Sequence, residues 1–510
     1  MPSSLLRKLL SQGWKRTETN QWQGNAVDDP ELKLPRKPSL VIILLANALL
    51  QISFFIIVSS SNEYAQHLGG TATFSGVVIG IPTVFSGLTL LPLMKYDKGG
   101  YALPLHLSCA ASITGLVLYA LAYKADYLYL ILIGRIVNGV GFAMWMYCKR
   151  YCSDPRLVGI RRRTTLASWL VVGNGVGMCL GPFLGGVFYR FVGFTTSAKG
   201  QVWNGFTSPA WVLACVWAVY WVAVSLWFED IKPQTPSTDE MELEETPVAA
   251  ENPAPGETFK ESYTTSAAID HTNSGPTVRH LGAGSSDAQI SQPSVENGSS
   301  FDIQPIQYGV MFCMCWFAMT CFFILGAWES NIPIFASLAP SLRFSPFASG
   351  NFLSLGALAC FPFFVLNVFV ARRVQDRYIL VFGAGLGGLA LLVFLTLLVA
   401  APKTLDQVAF VGGYAGAFMC WFIVALGFNL ASTVTMSLLS KQVPPTPKWN
   451  GRTSIAIQYS NFLGRVTGAI WGGAGVSVGM SSYVGLELAI VGVGGILSLI
   501  FWKNLKAKTG

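Results

Sequence analysis

The chain reads as an all-α membrane protein of twelve transmembrane helices in two six-helix bundles. Three observations predict this: an apolar composition, twelve apolar runs of spanning length, and a glycine ladder that recurs once in each half. Of 510 residues, 52% are hydrophobic and 12% charged, well under the roughly one quarter charged that a soluble domain carries. The 52 Gly and 15 Trp fit lipid as the solvent, because small residues let membrane helices approach and Trp favours the interface. The net charge of +8 is dispersed in short groups between apolar runs. It forms no basic domain of the kind that binds nucleic acid.

Runs of about 20 apolar residues can cross the hydrocarbon layer. They fall at 39–61, 72–94, 101–122, 126–148, 164–189 and 208–228, then at 307–335, 346–371, 378–401, 407–440, 453–479 and 483–502. The run 407–440 is too long for one uninterrupted span, which predicts a break. The N-terminal MPSSLLRKLLSQGWKR lacks the apolar centre of a secretory signal, so the first run is expected to act as an uncleaved signal and first span.

Basic residues set the expected orientation. One side receives Arg7, Lys8, Lys15, Arg16, Lys33, Arg36 and Lys37, then Lys149, Arg150, Arg156 and Arg161 to Arg163. The same side takes Arg372, Arg373, Arg377, Lys441, Lys448, Arg452, Lys503, Lys506 and Lys508, whereas the opposite loops hold only scattered charges. The positive-inside rule then places both termini in the cytosol. The expected organisation is a tail over 1–38, a first bundle over 39–229, a linker over 230–305, a second bundle over 306–503 and a tail over 504–510. The linker is rich in Pro, Ser, Thr and Glu, with acidic residues from Asp239 to Glu251. Such a composition cannot bury enough apolar surface to order itself. The sequon Asn297-Gly298-Ser299 lies within it and is expected to stay unused.

The two halves repeat. Gly177, Gly181, Gly185 and Gly186 recur with the same spacing as Gly464, Gly468, Gly472 and Gly473, a shift of 287 positions, each behind an Arg-Thr pair. Parallel repeats of this type place a substrate site near the midplane between the halves. The ten Cys sit mostly in apolar stretches, with no zinc spacing, and read as small core residues. No metal or cofactor is expected. Neither a nucleophile elbow nor a phosphate-binding loop occurs, which argues against an enzyme.

Within the fifth run, GMCLGPFLGG (Gly177 to Gly186, with Pro182 inside) combines a small-residue face with a helix-bending proline. With its flanks it resembles the GxxxGPxxGG fifth-helix motif of antiporters in the major facilitator superfamily. GRIVNGVG, Gly134 to Gly141, resembles that family's RxxxGxG motif. Arg135 is thereby placed inside the fourth span, where an Arg costs roughly 2.5–3.5 kcal/mol on insertion scales and should face a polar cavity or a partner. The resemblance links it either to proton coupling or to structural hydrogen bonding near the cavity. The loop around Asp97, and its counterpart around Asp376 and Arg377, are looser likenesses of the family's cytosolic signature; they imply a charge latch, or merely a basic loop obeying topology. Glu329 to Pro333, Phe344-Ser345-Pro346 and Ala348 to Phe352 are similar to fungal members related to the lysosomal branch linked to ceroid lipofuscinosis. Fungal exporters of secondary metabolites share that layout.

Ionisable residues inside a membrane are functional candidates. Glu329 is the preferred proton-coupling group and Glu63 the next, with Glu487 a further carboxylate near a span end and Arg465 a second Arg at depth. The first run, 39–61, carries no acidic residue, unlike many family antiporters, and the two Arg suit an anionic solute equally. Cavity candidates are Gln51, Trp145 and Asn174 in the first half, and Trp328, Asn429, Gln458 and Asn461 in the second. His67 and His106 read as structural. The expected function is secondary transport of a small organic solute by alternating access, as an efflux or antiport carrier for which protons are one candidate coupling ion and passive carriage also fits. The expected partners are that solute and the bilayer, the expected state a monomer, and the expected site the plasma membrane. A vacuolar or lysosomal carrier, an anion pathway, and a membrane sensor that has lost transport are the alternatives.

Overall fold

Each apolar run becomes a helix because a backbone in lipid must satisfy its own hydrogen bonds. The computed structural model describes residues 33–97, 99–154, 156–193, 201–231, 305–370, 374–401, 410–442 and 447–506. The basic tail before residue 33, most of the linker, and the Arg372-Arg373 pair lie outside them.

The first bundle comprises α1 (Lys37–Phe55), α2 (Ser61–His67), α3 (Ala72–Tyr96), α4 (Ala102–Ala125), α5 (Leu128–Phe142), α6 (Met144–Ser153), α7 (Ile160–Val192) and α8 (Ser208–Trp227). The second comprises α9 (Pro305–Leu338), α10 (Pro346–Val370), α11 (Asp376–Val399), α12 (Gly413–Gln442), α13 (Pro447–Val478) and α14 (Met480–Ile500). Both belong to one compact unit. Among the described residues, counting α5 and α6 together, eleven segments are long and apolar enough to cross a membrane. The remaining one, α13, eleventh in order, is 32 residues long but carries Arg452, Gln458, Asn461 and Arg465. These polar residues lower its hydropathy, and the helix packs chiefly against α9 and α3.

Three expected boundaries are corrected. The first span ends at Phe55 rather than Ser61, and a turn leads into the separate short helix α2, which carries Glu63. The fourth span is two abutting helices that meet at Ala143. The tenth span does not take up the whole run 407–440: α12 is one 30-residue helix that starts at Gly413.

The glycine ladders explain the packing. A side chain at Gly464, Gly468 or Gly472 would collide with the α9 backbone at Met319, Phe323 and Ala327. Gly177 and Gly181 stand in the same relation to Gln51 and Phe55 of α1. Each ladder thus seats the fifth helix of a bundle on its first helix. The extra glycine of each ladder turns to the opposite bundle: Gly186 meets Phe347 of α10, and Gly473 meets Gly76 of α3. Gly350 closes on Pro182 in the same way. These contacts lie toward the side away from residues 33 and 506, called here the far side; the opposite face is the terminal side.

Candidate functional site

Between the bundles, toward the far side, the two predicted charges of the second half come together. Gly326 admits the α13 backbone beside Arg465, and one turn later Glu329 receives both guanidinium nitrogens, Nη1 to Oε1 at 3.3 Å and Nη2 to Oε2 closer still. Glu329 is 2% exposed and Arg465 8%. The pair also reaches the other bundle, since the Arg465 guanidinium lies 4.8 Å from the ring centre of Phe54 and 5.2 Å from that of Phe55, both on α1. Stacking a cation on an aromatic face contributes about 0.5–2 kcal/mol, more where water is excluded.

Phe54 is approached from its own bundle by Arg135, at 5.7 Å. Arg135 is completely buried and faces backbone rather than an open cavity. Its Nε donates to the Val78 carbonyl at 3.2 Å and its Nη1 to the Ser53 carbonyl at 3.4 Å, while Nη2 has no hydrogen-bond partner. It therefore ties α5 to α3 and α1. Trp217 secures the same turn of α1 by donating to Ser53 Oγ at 2.8 Å. Trp145 stacks on Phe142, with ring centres 4.8 Å apart, and lies 5.9 Å from Phe54, its indole N–H buried without a partner. An aromatic residue flanked by two guanidiniums from different bundles is the centre of the site, and nothing in the sequence singled out Phe54.

The amide candidates divide by position. Gln458, Asn461 and Arg465 follow at helical spacing along one stripe of α13, and Asn461 Oδ1 is buried without a partner. Gln51 packs on Gly177, and Asn174 Oδ1 is likewise buried and unsatisfied. Asn429 instead donates to the Ala425 carbonyl of its own helix at 2.7 Å. Trp328 is turned into the second bundle, against Phe394 and Trp421, and donates to Glu487 Oε2 at 2.9 Å. Glu63 on α2 accepts from Tyr189 of α7 at 2.6 Å, and burial pushes its carboxyl above the usual range despite that hydrogen bond. His67 stacks on Tyr123, and His106 Nδ1 accepts from Trp221 Nε1.

The terminal side carries a polar network. Asp97 accepts from Gly99 N, Tyr147 Oη and Arg150 Nη1 at 2.9, 2.8 and 2.9 Å. Beside it Asp154 accepts from Arg156 and Tyr101. Burial works against the Asp154 charge, but the Arg156 and Tyr101 hydrogen bonds outweigh it and hold the carboxyl below its ordinary value. In the second bundle Asp376 accepts from Ser437 at 2.8 Å, and Arg377 donates to the Trp502 carbonyl at 3.1 Å. These partners lie within the same bundle as the residue they hold. Among the described residues no cluster of His, Cys, Asp and Glu is arranged to hold a metal ion.

Comparison with known proteins agrees with this architecture. Residues 43–469 match the family model described as Major Facilitator Superfamily. An uncharacterized protein of Schizosaccharomyces pombe is 31% identical over 94% of this chain and 85% of its own length. An uncharacterized MFS-type transporter of the same yeast is also 31% identical, with the same coverage. An SPX domain-containing membrane protein of Arabidopsis thaliana is 33% identical over 37% of this chain and 26% of its own. Among solved structures, a POT family transporter in complex with 5-aminolevulinic acid superposes with a TM-score of 0.64 at 11% identity, covering 93% of this chain and 99% of that one. A bacterial homologue of the human lysosomal transporter Spinster gives 0.61 at 11% identity, covering 95% and 100%. The structural likenesses carry the fold and the family match carries the class: the chain belongs to the Major Facilitator Superfamily and is a multi-pass secondary transporter rather than an enzyme.

Proposed function

We propose that the chain exports a small organic solute by alternating access, driven by protons that Glu329 takes up and releases. The observation that carries this reading is the buried Glu329–Arg465 pair, whose guanidinium also stacks on Phe54 and Phe55 of the other bundle. Removing one charge from a buried pair strands the other at a cost of about 3–5 kcal/mol. A proton arriving on Glu329 therefore releases Arg465 and loosens a contact between the bundles in one event. The Gly177 to Gly186 pattern supports exchange of solute for protons, as in the antiporters it resembles. Gln51, Trp145, Asn174, Gln458 and Asn461 are the proposed solute contacts, and the Asp97, Asp376 and Arg377 networks the latch on the cytosolic side. The basic residues support cytosolic termini, and the plasma membrane is the proposed location.

The solute to assay is the compound retained inside cells when the gene is deleted. In reconstituted vesicles with an acid interior, wild-type protein accumulates it, whereas Glu329→Gln equilibrates it without accumulation. Wild-type accumulation by that variant overturns the assignment. A second reading, an anion pathway of an internal membrane, is favoured by the two guanidiniums flanking Phe54. A fluorescent fusion on the vacuolar rim, with flux of an inorganic anion and no response to the pH gradient, would decide for it.

A further inference from the structure

Glu487 is a second carboxylate buried in the membrane-spanning part, and the proposed mechanism leaves it without a role. It sits two turns into α14 and is 0% exposed. Trp328 Nε1 donates to its Oε2 at 2.9 Å, and the Tyr483 hydroxyl of the same helix interacts with the same carboxyl. Trp328 directly precedes Glu329 on α9, and successive helical residues point about 100° apart. The two therefore address different neighbours: Trp328 faces α14, α11 and α12, while Glu329 faces α13. The Trp328 indole is fixed on every side, 4.9 Å from Phe394, near-parallel to Trp421 at 6.3 Å, and hydrogen-bonded to Glu487. Trp421 is in turn seated against Gly356 of α10.

We infer that Glu487 is a positioning residue for transport: through Trp328 it fixes the rotation of α9 that aims Glu329 at Arg465. A guanidinium–carboxylate pair with two parallel contacts is sensitive to angle. A turn of α9 by a fraction of a residue spoils both contacts. The hydrogen bond to Trp328 is suited to this because it is directional where packing is not. The other ionisable groups on the elements packed around this stretch are Arg465 and Tyr459 on α13, Cys360 on α10, Tyr414 and Cys420 on α12, and Tyr483 on α14 itself. Those of α3 and α11, namely Lys95, Tyr96, Asp376, Arg377 and Tyr378, lie at the terminal-side ends, as do Lys441 of α12 and Lys448 and Arg452 of α13.

The inference rests on Glu329 as the proton-carrying group, and its test separates the two. In whole-chain protein reconstituted into vesicles, the pH dependence of solute flux is measured for Glu487→Gln, Glu487→Leu and Trp328→Phe. Glutamine still offers an oxygen to the indole and keeps the wild-type midpoint. Glu487→Leu removes the acceptor, and Trp328→Phe removes the donor. Each moves the midpoint toward alkaline pH by about one unit, a tenfold change in apparent proton affinity, because Glu329 meets Arg465 less well. The double variant Glu487→Leu with Trp328→Phe moves it no further than either single change. A midpoint unchanged in Trp328→Phe overturns the positioning role, as does one shifted equally in Glu487→Gln. If Glu329→Gln keeps a wild-type pH profile, it is the proton-carrier reading that fails, whatever the Glu487 variants do.

Discussion

Alanine at Gly468 and alanine at Gly492 should change stability in opposite directions, although both glycines lie within helices of the second bundle. Replacing a helical glycine by alanine removes backbone freedom and by itself stabilises by roughly 0.5–1 kcal/mol. At Gly492 a Cβ meets nothing within 4 Å, so that gain stands alone. At Gly468 it would lie 2.7 Å from the Phe323 carbonyl carbon and 2.8 Å from its Cα. Those atoms are backbone of α9 and cannot swing aside, so α9 and α13 must separate. Overpacking of this kind costs about 1–3 kcal/mol, and membrane helices are held together mainly by the close contact that is lost. The net expectation is destabilisation of about 1–2 kcal/mol for Gly468→Ala and stabilisation of about 0.5–1 kcal/mol for Gly492→Ala. Melting of purified protein in detergent, followed by loss of the monodisperse peak after heating, reads both. Equal shifts of the same sign would refute the claim that the ladder is a backbone contact surface rather than a run of small residues.

The same reasoning predicts that Gly181→Leu lowers expression and melting temperature, since Phe55 and the Ile52 carbonyl occupy the space its side chain needs. Arg135→Ala should reach the membrane yet lose more than about tenfold in flux, because the Ser53 and Val78 carbonyls lose the strut that joins α1, α3 and α5; normal flux with normal surface expression would contradict this. Asp97→Ala strands Tyr147 and Arg150 and should cost roughly 1–3 kcal/mol, the partial exposure of Arg150 keeping the figure at the lower end. For Glu63, the carboxyl raised by burial costs stability as pH climbs through its folded value and nothing below the unfolded value of about 4.3. Glu63→Gln should therefore melt higher than wild type at pH 8 and at the same temperature near pH 4, and a pH-independent difference would exclude the titration.

The apolar runs, the duplicated ladder and the Arg at depth were legible along the chain, because each is a property of one helix: composition over about 20 residues, or spacing along one face. The same information placed Arg135, Glu329 and Arg465 within spans. It also misjudged ends, running the first span through Ser61 and starting the tenth before Gly413, since hydropathy alone does not mark where a backbone turns. Trp328 was legible as a membrane tryptophan but not as a residue of the second bundle's interior. Pairing is different in kind. Glu329 and Arg465 are 136 positions apart, and whether they meet depends on the rotation and register of α9 against α13, which no single helix encodes. Phe54 and Glu487 acquire their places only in that geometry, one because two guanidiniums from different bundles converge on its ring, the other because a neighbouring indole turns toward it. Sequence by itself determined a twelve-helix duplicated carrier, since lipid imposes length and composition on every span separately. The tertiary structure alone decided which charges answer one another, since a partner is defined by where two helices touch.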